Sequence, residues 1–195
     1  MSAAPPSLCL ARKVQVDLER LYAVEAPPVD AFVRIANGER ETVLVRKTRG
    51  SLELRVHLPE QALSHDGSIT LDLYCQVVEG VSHFMMLVER ARRDLPATQL
   101  ELELQAEVDK FVLVKRAAGA AANTDAAVKE RLFSNVRFLH KAGTVRGERY
   151  RLANQLAARF VTQLSTRPSA PARLQDLRRF FGAGQREKLE MVMAA

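Results

Sequence analysis

Apolar residues return at intervals of three and four along most of this sequence, and at intervals of two in one stretch. Val14, Leu18, Leu21 and Tyr22 have the spacing of an amphipathic helix. Ala26-Pro27-Pro28 stops it, because proline restricts both itself and its predecessor. Residues 1–8 read as a disordered lead, and Val29 to Ala36 as a short segment of either type ended by Asn37-Gly38. The period-two run is Leu52-Glu53-Leu54-Arg55-Val56-His57-Leu58. With Thr42-Val43-Leu44-Val45-Arg46 and the turn Lys47-Thr48-Arg49-Gly50 it predicts a β-hairpin with one buried face. An isolated hairpin is marginal in water, so this one needs support.

The support is expected from Ile69 to Arg116, read as two helices joined at Asp94-Leu95-Pro96-Ala97. Pro59 to Leu63 gives at most one helical turn before it, and Ser64-His65-Asp66-Gly67 a loop. The first helix, about Thr70 to Arg93, has a wide apolar face from Leu71 through Tyr74, Val78, Val81 and Met85 to Val88. Its last turn, Arg90-Ala91-Arg92-Arg93, places cations at the negative end of the helix dipole. Leu100-Glu101-Leu102-Glu103-Leu104-Gln105 alternates like a strand, yet three features predict a helix. Its residues are strong helix formers, Thr98 and Glu101 have capping-box spacing, and Leu100, Leu104, Val108 and Phe111 form a helical stripe.

Beyond the low-complexity stretch Ala117 to Asn123, a helix capped by Thr124 or Asp125 puts Val128, Leu132, Val136 and Leu139 on one face. Lys141 to Gly147 breaks the pattern. Glu148 to Leu164 resumes it with Leu152, Leu156, Phe160 and Leu164 expected to face inward. After the stiff connector Arg167-Pro168-Ser169-Ala170-Pro171, a further helix groups Leu174, Leu177 and Phe181. Gly182-Ala183-Gly184 separates it from a short terminal helix. The expected fold is α+β and predominantly helical: a small antiparallel β-hairpin packed on a central helical hairpin, with a basic helical C-terminal part. Residues 1–116 form the mixed core, with strands at about 42–58 and the helical hairpin at about 70–115. Residues 117–124 form a linker and 125–195 a basic helical region, not separable by pattern from the same domain.

Composition changes this picture little. With 195 residues, 47% hydrophobic and 27% charged, the chain has the make-up of a globular protein able to build a core without staples. Cys9 and Cys75 lie far apart and form no CxxC pair, so neither a thiolate zinc site nor a disulfide framework is indicated. The start lacks the basic and apolar regions of a secretory signal. The longest apolar run, Phe84 to Val88, is far below the roughly 20 residues of a membrane helix. A cytoplasmic protein without an integral membrane segment is expected.

Charge adds more. Residues 1–115 hold 14 Lys/Arg against 17 Asp/Glu, a net of −3, while residues 116–195 hold 15 against 6, a net of +9. Such asymmetry suits an acidic partner. Arg146, Arg149, Arg151, Arg159, Arg173, Arg178, Arg179 and Arg186 are candidate phosphate contacts, and Asn154 and Gln155 candidate base-edge contacts. Against this, 22 of the 29 cations are Arg in an Ala-rich chain, which codon bias alone produces, and the same arginines suit pairing with the acidic half. The cationic last helices, with Phe180 and Phe181 beside Arg178 and Arg179, suit a membrane surface, a partner's groove or the protein's own core.

The candidate chemistry lies on the central helices. Glu79 and His83 are four residues apart, as are Glu103 and Glu107, so each pair shares a helix face. Facing one another, the four are the raw material of a divalent-metal site in a bundle, although Glu-x-x-x-His departs from the Glu-x-x-His of di-iron bundles. The competing reading is structural polar packing. Gly80 between Glu79 and His83 costs roughly 1 kcal/mol relative to Ala in a helix. Either another backbone approaches closely there, or a bulge re-aims His83. Gly80-Val81-Ser82-His83-Phe84 lacks the last glycine of a nucleophile elbow, and His140 has no acidic orienter in sequence.

Together these features favour a non-catalytic intracellular binding or adaptor protein that acts through protein contacts or self-association. A nucleic-acid-binding regulator using the C-terminal arginines is second. A metal-dependent enzyme using Glu79, His83, Glu103 and Glu107 is third. Which cofactor the chain takes is left open by the sequence.

Overall fold

The strands of the first half form a sheet whose order is not that of the chain. The computed structural model describes residues 6–36, 41–48, 51–60, 69–119 and 124–194. Strands β1 (Val33–Ile35), β2 (Thr42–Thr48) and β3 (Ser51–Leu58) lie in the order β1-β3-β2. The hairpin predicted from period two is present, antiparallel, with Thr42 opposite His57 and Thr48 opposite Ser51. β1 joins its other side in parallel, with Val33 opposite Val56. The segment read as either type is therefore a 3-10 turn, Val29–Ala31, followed by this short strand. The expected turns at Asn37-Gly38, Arg49-Gly50 and Ser64 to Gly67 lie outside the described residues.

Leu54, Val56 and Leu58 are buried on one face of β3, while Glu53 and Arg55 on the other are exposed. The buried face lies on helix α2 (Leu71–Arg92), against which helix α1 (Pro6–Tyr22) also packs through Val14, Leu18 and Tyr22. α1 begins inside the stretch expected to be a disordered lead. Gln15 pins the loop that follows it. This fully buried amide accepts the Val29 backbone N–H at 2.8 Å and donates to Pro27 O at 2.9 Å, satisfying backbone groups that prolines leave without a ladder. At Gly80 the buried face of β3 lies against α2. A Cβ there would lie 3.1 Å from Val56 Cγ1 and 3.2 Å from Leu58 Cδ2, and α2 runs through without a bulge. The neighbours that crowd this glycine are therefore side chains of β3 and not the close backbone that one reading of the sequence expects.

These elements belong to one compact unit, Met1–Pro96, and the rest to a second, Ala97–Ala195. The second contains helices α3 (Gln99–Ala118), α4 (Thr124–Lys129), α5 (Val145–Thr166), α6 (Ala170–Gly182) and α7 (Gln185–Met193). α3 starts with the predicted capping box: Thr98 Oγ1 accepts the Glu101 N–H, and Glu101 Oε2 accepts the Thr98 N–H. The alternating leucines and glutamates are helical because this cap and residue propensity outweigh a period of only six residues. α3 and α5 form the central pair, with Ala153 and Ala157 fully buried. Phe160 stacks on Phe180 at 3.9 Å beside Leu177 and Val192.

Two features of this unit depart from the pattern. The helix expected to reach Leu139 widens into a π-helical turn at Glu130–Ser134 and ends there. Asn154 Nδ2 donates to Leu132 O at 3.0 Å, and the following loop is tied to α5 instead of continuing a helix. Leu139 is consequently exposed. Second, Lys188 in α7 has no exposed surface. Its ammonium donates to Gln105 Oε1 at 2.6 Å and to Phe180 O at 2.5 Å, and sits 4.2 Å from the Phe180 ring centre. Among the described residues no helix is long and apolar enough to cross a membrane.

Candidate functional site

The acidic residues singled out by spacing divide between the units. Glu79 and His83 lie one turn apart on α2; His83 is buried and Glu79 half-buried. Glu103 and Glu107 lie one turn apart on α3. Each pair presents two ligand groups from one helix turn, half of what a tetrahedral zinc ion takes. Within the second unit both carboxylates have protein partners. Glu103 Oε1 is 3.9 Å from Arg149 Nε, while Glu107 accepts from Lys110 Nζ at 2.9 Å and Asn154 Nδ2 at 3.2 Å. Glu101 serves the cap. Ser82 is buried in mid-helix rather than on a strand-to-helix turn, and the His140 ring lies 5.2 Å from that of Tyr150.

Most of the candidate arginines have local work. Arg151 donates to His140 O and Gly147 O and lies 4.7 Å from the Phe138 ring centre, holding the loop of residues 135–144 on α5. Arg167 pairs with Asp176 at 2.5 Å and Arg179 with Glu187 at 3.1 Å. Arg186 pairs with Glu190, whose hydrogen bond and charge raise the arginine's pKa further. Arg173 donates to Arg167 O, Arg159 approaches Met193 Sδ, and Arg178 is exposed. Asn154 is buried under its two hydrogen bonds, away from any base edge; Gln155 is exposed. Four exposed cations, Arg131, Arg137, Lys141 and the candidate Arg146, lie in residues 131–147, which contain no Asp or Glu.

At this basic stretch the head of α5 is shaped by a glycine that the pattern passed over. Thr144 caps the helix by accepting the Gly147 N–H at 3.0 Å and donating to Lys141 O. A Cβ on Gly147 would fall 2.0 Å from Lys141 O, so only glycine lets the loop fold this tightly onto the helix. Glu148 accepts the Gly143 N–H at 2.7 Å and fixes the same turn, where Gly143 has φ +79°.

The outcome is an open cleft of about 410 Å³ in which Leu100 from the first turn of α3 faces Val145, Leu152, Arg149 and Gln155 from α5. Val145 is 87% exposed and Leu152, expected to face the core, is 44% exposed. The two are seven residues apart, so they stand on one side of α5 roughly 10 Å apart along its axis. Arg146 and Arg149 lie 6.0 and 5.9 Å from the Tyr150 ring centre and place cations next to this apolar surface. Two leucines that a helical stripe would bury, Leu139 and Leu152, are the ones left on the outside.

The fold and this surface define a predominantly helical α+β protein with an apolar, cation-edged cleft in its helical unit. No protein-family model, curated protein or solved structure matches the chain.

Proposed function

We propose that this chain is a non-catalytic binding protein that works through protein contacts, with the cleft at the head of α5 as its docking face. The observation that carries the reading is the exposure of Val145 and Leu152 along one side of a cleft, on a helix that buries Ala153, Ala157, Phe160, Val161 and Leu164. The apolar area that Val145 and Leu152 leave exposed gains nothing from folding, and burying it against a partner contributes up to roughly 1.5–3 kcal/mol for each side chain, less for Leu152, which is 44% exposed. The polar groups of the cleft form no arrangement of nucleophile, base and orienter. Glu148 and Arg151 are bound into the loop they hold.

Replacing Val145 with a photo-reactive amino acid in cells of the source organism tests this reading. A covalent adduct with a polypeptide, abolished by Leu152→Glu, is the expected result. An adduct with nucleic acid, or none, contradicts it. Nucleic-acid binding is the second reading, and the exposed, acid-free cations at Arg131, Arg137, Lys141 and Arg146 favour it. It predicts binding that weakens steeply with salt and ignores Leu152.

A further inference from the structure

From the chemistry of the cleft we infer the class of its occupant: an acidic amphipathic helix. The inference rests on the docking reading above and specifies its partner. Three properties of the surface select it. Val145 and Leu152 repeat at the spacing of two helical turns, which matches apolar anchors at i, i+3 or i+4, and i+7 of a helix laid along α5. Leu100 across the cleft provides the opposite wall, and a space of about 410 Å³ receives anchor side chains rather than a whole folded surface.

Charge is the second property. Arg149, which also lies 3.9 Å from Glu103, and Arg151 line the cleft, while Arg146 next to Val145 and Lys141 in the loop before α5 are exposed. Glu148, the one acid in the lining, is held by the Gly143 amide and is outnumbered by Arg149 and Arg151. The positive end of the α5 dipole adds to the same field. A partner carrying Asp and Glu beside its apolar face is attracted, and one carrying Lys and Arg there is repelled.

The third property separates a peptide from a nucleic acid. Single-stranded bases need open aromatic faces. Here Tyr150 and Phe138 are half-buried, with Arg146, Arg149 and His140 around the first and Arg151 over the second. What is offered to a ligand is aliphatic, with cations at its edge.

The test uses the full chain and two fluorescent 18-residue peptides that share one Leu/Phe face. Their polar faces are Glu-rich in one and Lys-rich in the other. In anisotropy titrations the Glu-rich peptide binds at least about tenfold more tightly than the Lys-rich one. Val145→Glu with Leu152→Glu, and separately Lys141→Glu with Arg146→Glu, each weaken it about tenfold or more. All four positions are solvent-exposed, and unchanged circular dichroism confirms folding. Equal binding of both peptides overturns the acidic selectivity. No binding of either, with polypeptide adducts still forming at position 145, overturns the helix class and leaves the docking reading standing. No binding and no adduct overturns both. Tighter binding of a 20-residue oligothymidylate, unaffected by Val145→Glu with Leu152→Glu, overturns the inference in favour of nucleic acid.

Discussion

Replacing Lys188 probes how the helical unit is held together. The ammonium is fully buried, so its hydration is lost and must be replaced by Gln105 Oε1, Phe180 O and the Phe180 ring. Lys188→Met keeps most of the stem and removes the charge. Two buried acceptors then lose a charged donor, at about 1–3 kcal/mol for each. Relief of the ammonium's desolvation offsets part of this. The expected net loss is about 2–4 kcal/mol, and Lys188→Ala adds about 2 kcal/mol for the space left by the stem. The chain has no Trp, so urea unfolding is best followed by far-ultraviolet circular dichroism, with hydrogen exchange to localise the effect. Protection should fall first in α7 and around Gln105 in α3. A change below about 0.5 kcal/mol for Lys188→Met, or a loss confined to α1 and α2, refutes the reasoning.

Other substitutions test the local geometry. Gly147→Ala forces a Cβ onto Lys141 O and should cost at least about 2 kcal/mol, with faster proteolysis of residues 135–144. Gly80→Ala gains about 1 kcal/mol of helix propensity but presses on Val56 and Leu58. The net thermal-melt change should stay near 1 kcal/mol, whereas Gly80→Val should cost about 3 kcal/mol. Thr98→Ala removes the α3 cap and the bond from Thr98 Oγ1 to Gln185 Oε1. About 1–2 kcal/mol of stability should be lost, read as earlier exchange at the Glu101 amide.

Local signals in the sequence were legible wherever local forces decide the structure. The capping box at Thr98 and Glu101 and the alternation of β3 each act within a few residues, and both predicted their elements. β1 was not legible, because parallel pairing with β3 joins positions more than twenty residues apart and leaves three residues with no period to read. Lys188 reads as part of a solvated face in Gln185-Arg186-Glu187-Lys188, and only contact with α3 makes it a buried donor. The surface cleft escaped for the opposite reason. Periodicity assigns Leu139 and Leu152 to an inner face, but the π-helical turn ends one helix early and the loop it releases is tied to α5 by Arg151, Thr144 and Glu148. The available signal was Gly147, a glycine in the first turn of a good helix. The spacing that paired Glu79 with His83 and Glu103 with Glu107 is that of one helix turn, and in the second unit Lys110 and Asn154 hydrogen-bond Glu107 while Arg149 lies 3.9 Å from Glu103.

Hydrogen exchange of the whole chain with and without the Glu-rich amphipathic peptide tests the docking face most directly. Added protection confined to residues 141–155 and the first turn of α3, absent from the variant with Val145→Glu and Leu152→Glu, is the predicted footprint. Protection falling instead on α6 and α7, or an exchange pattern that the peptide leaves unchanged, contradicts the account.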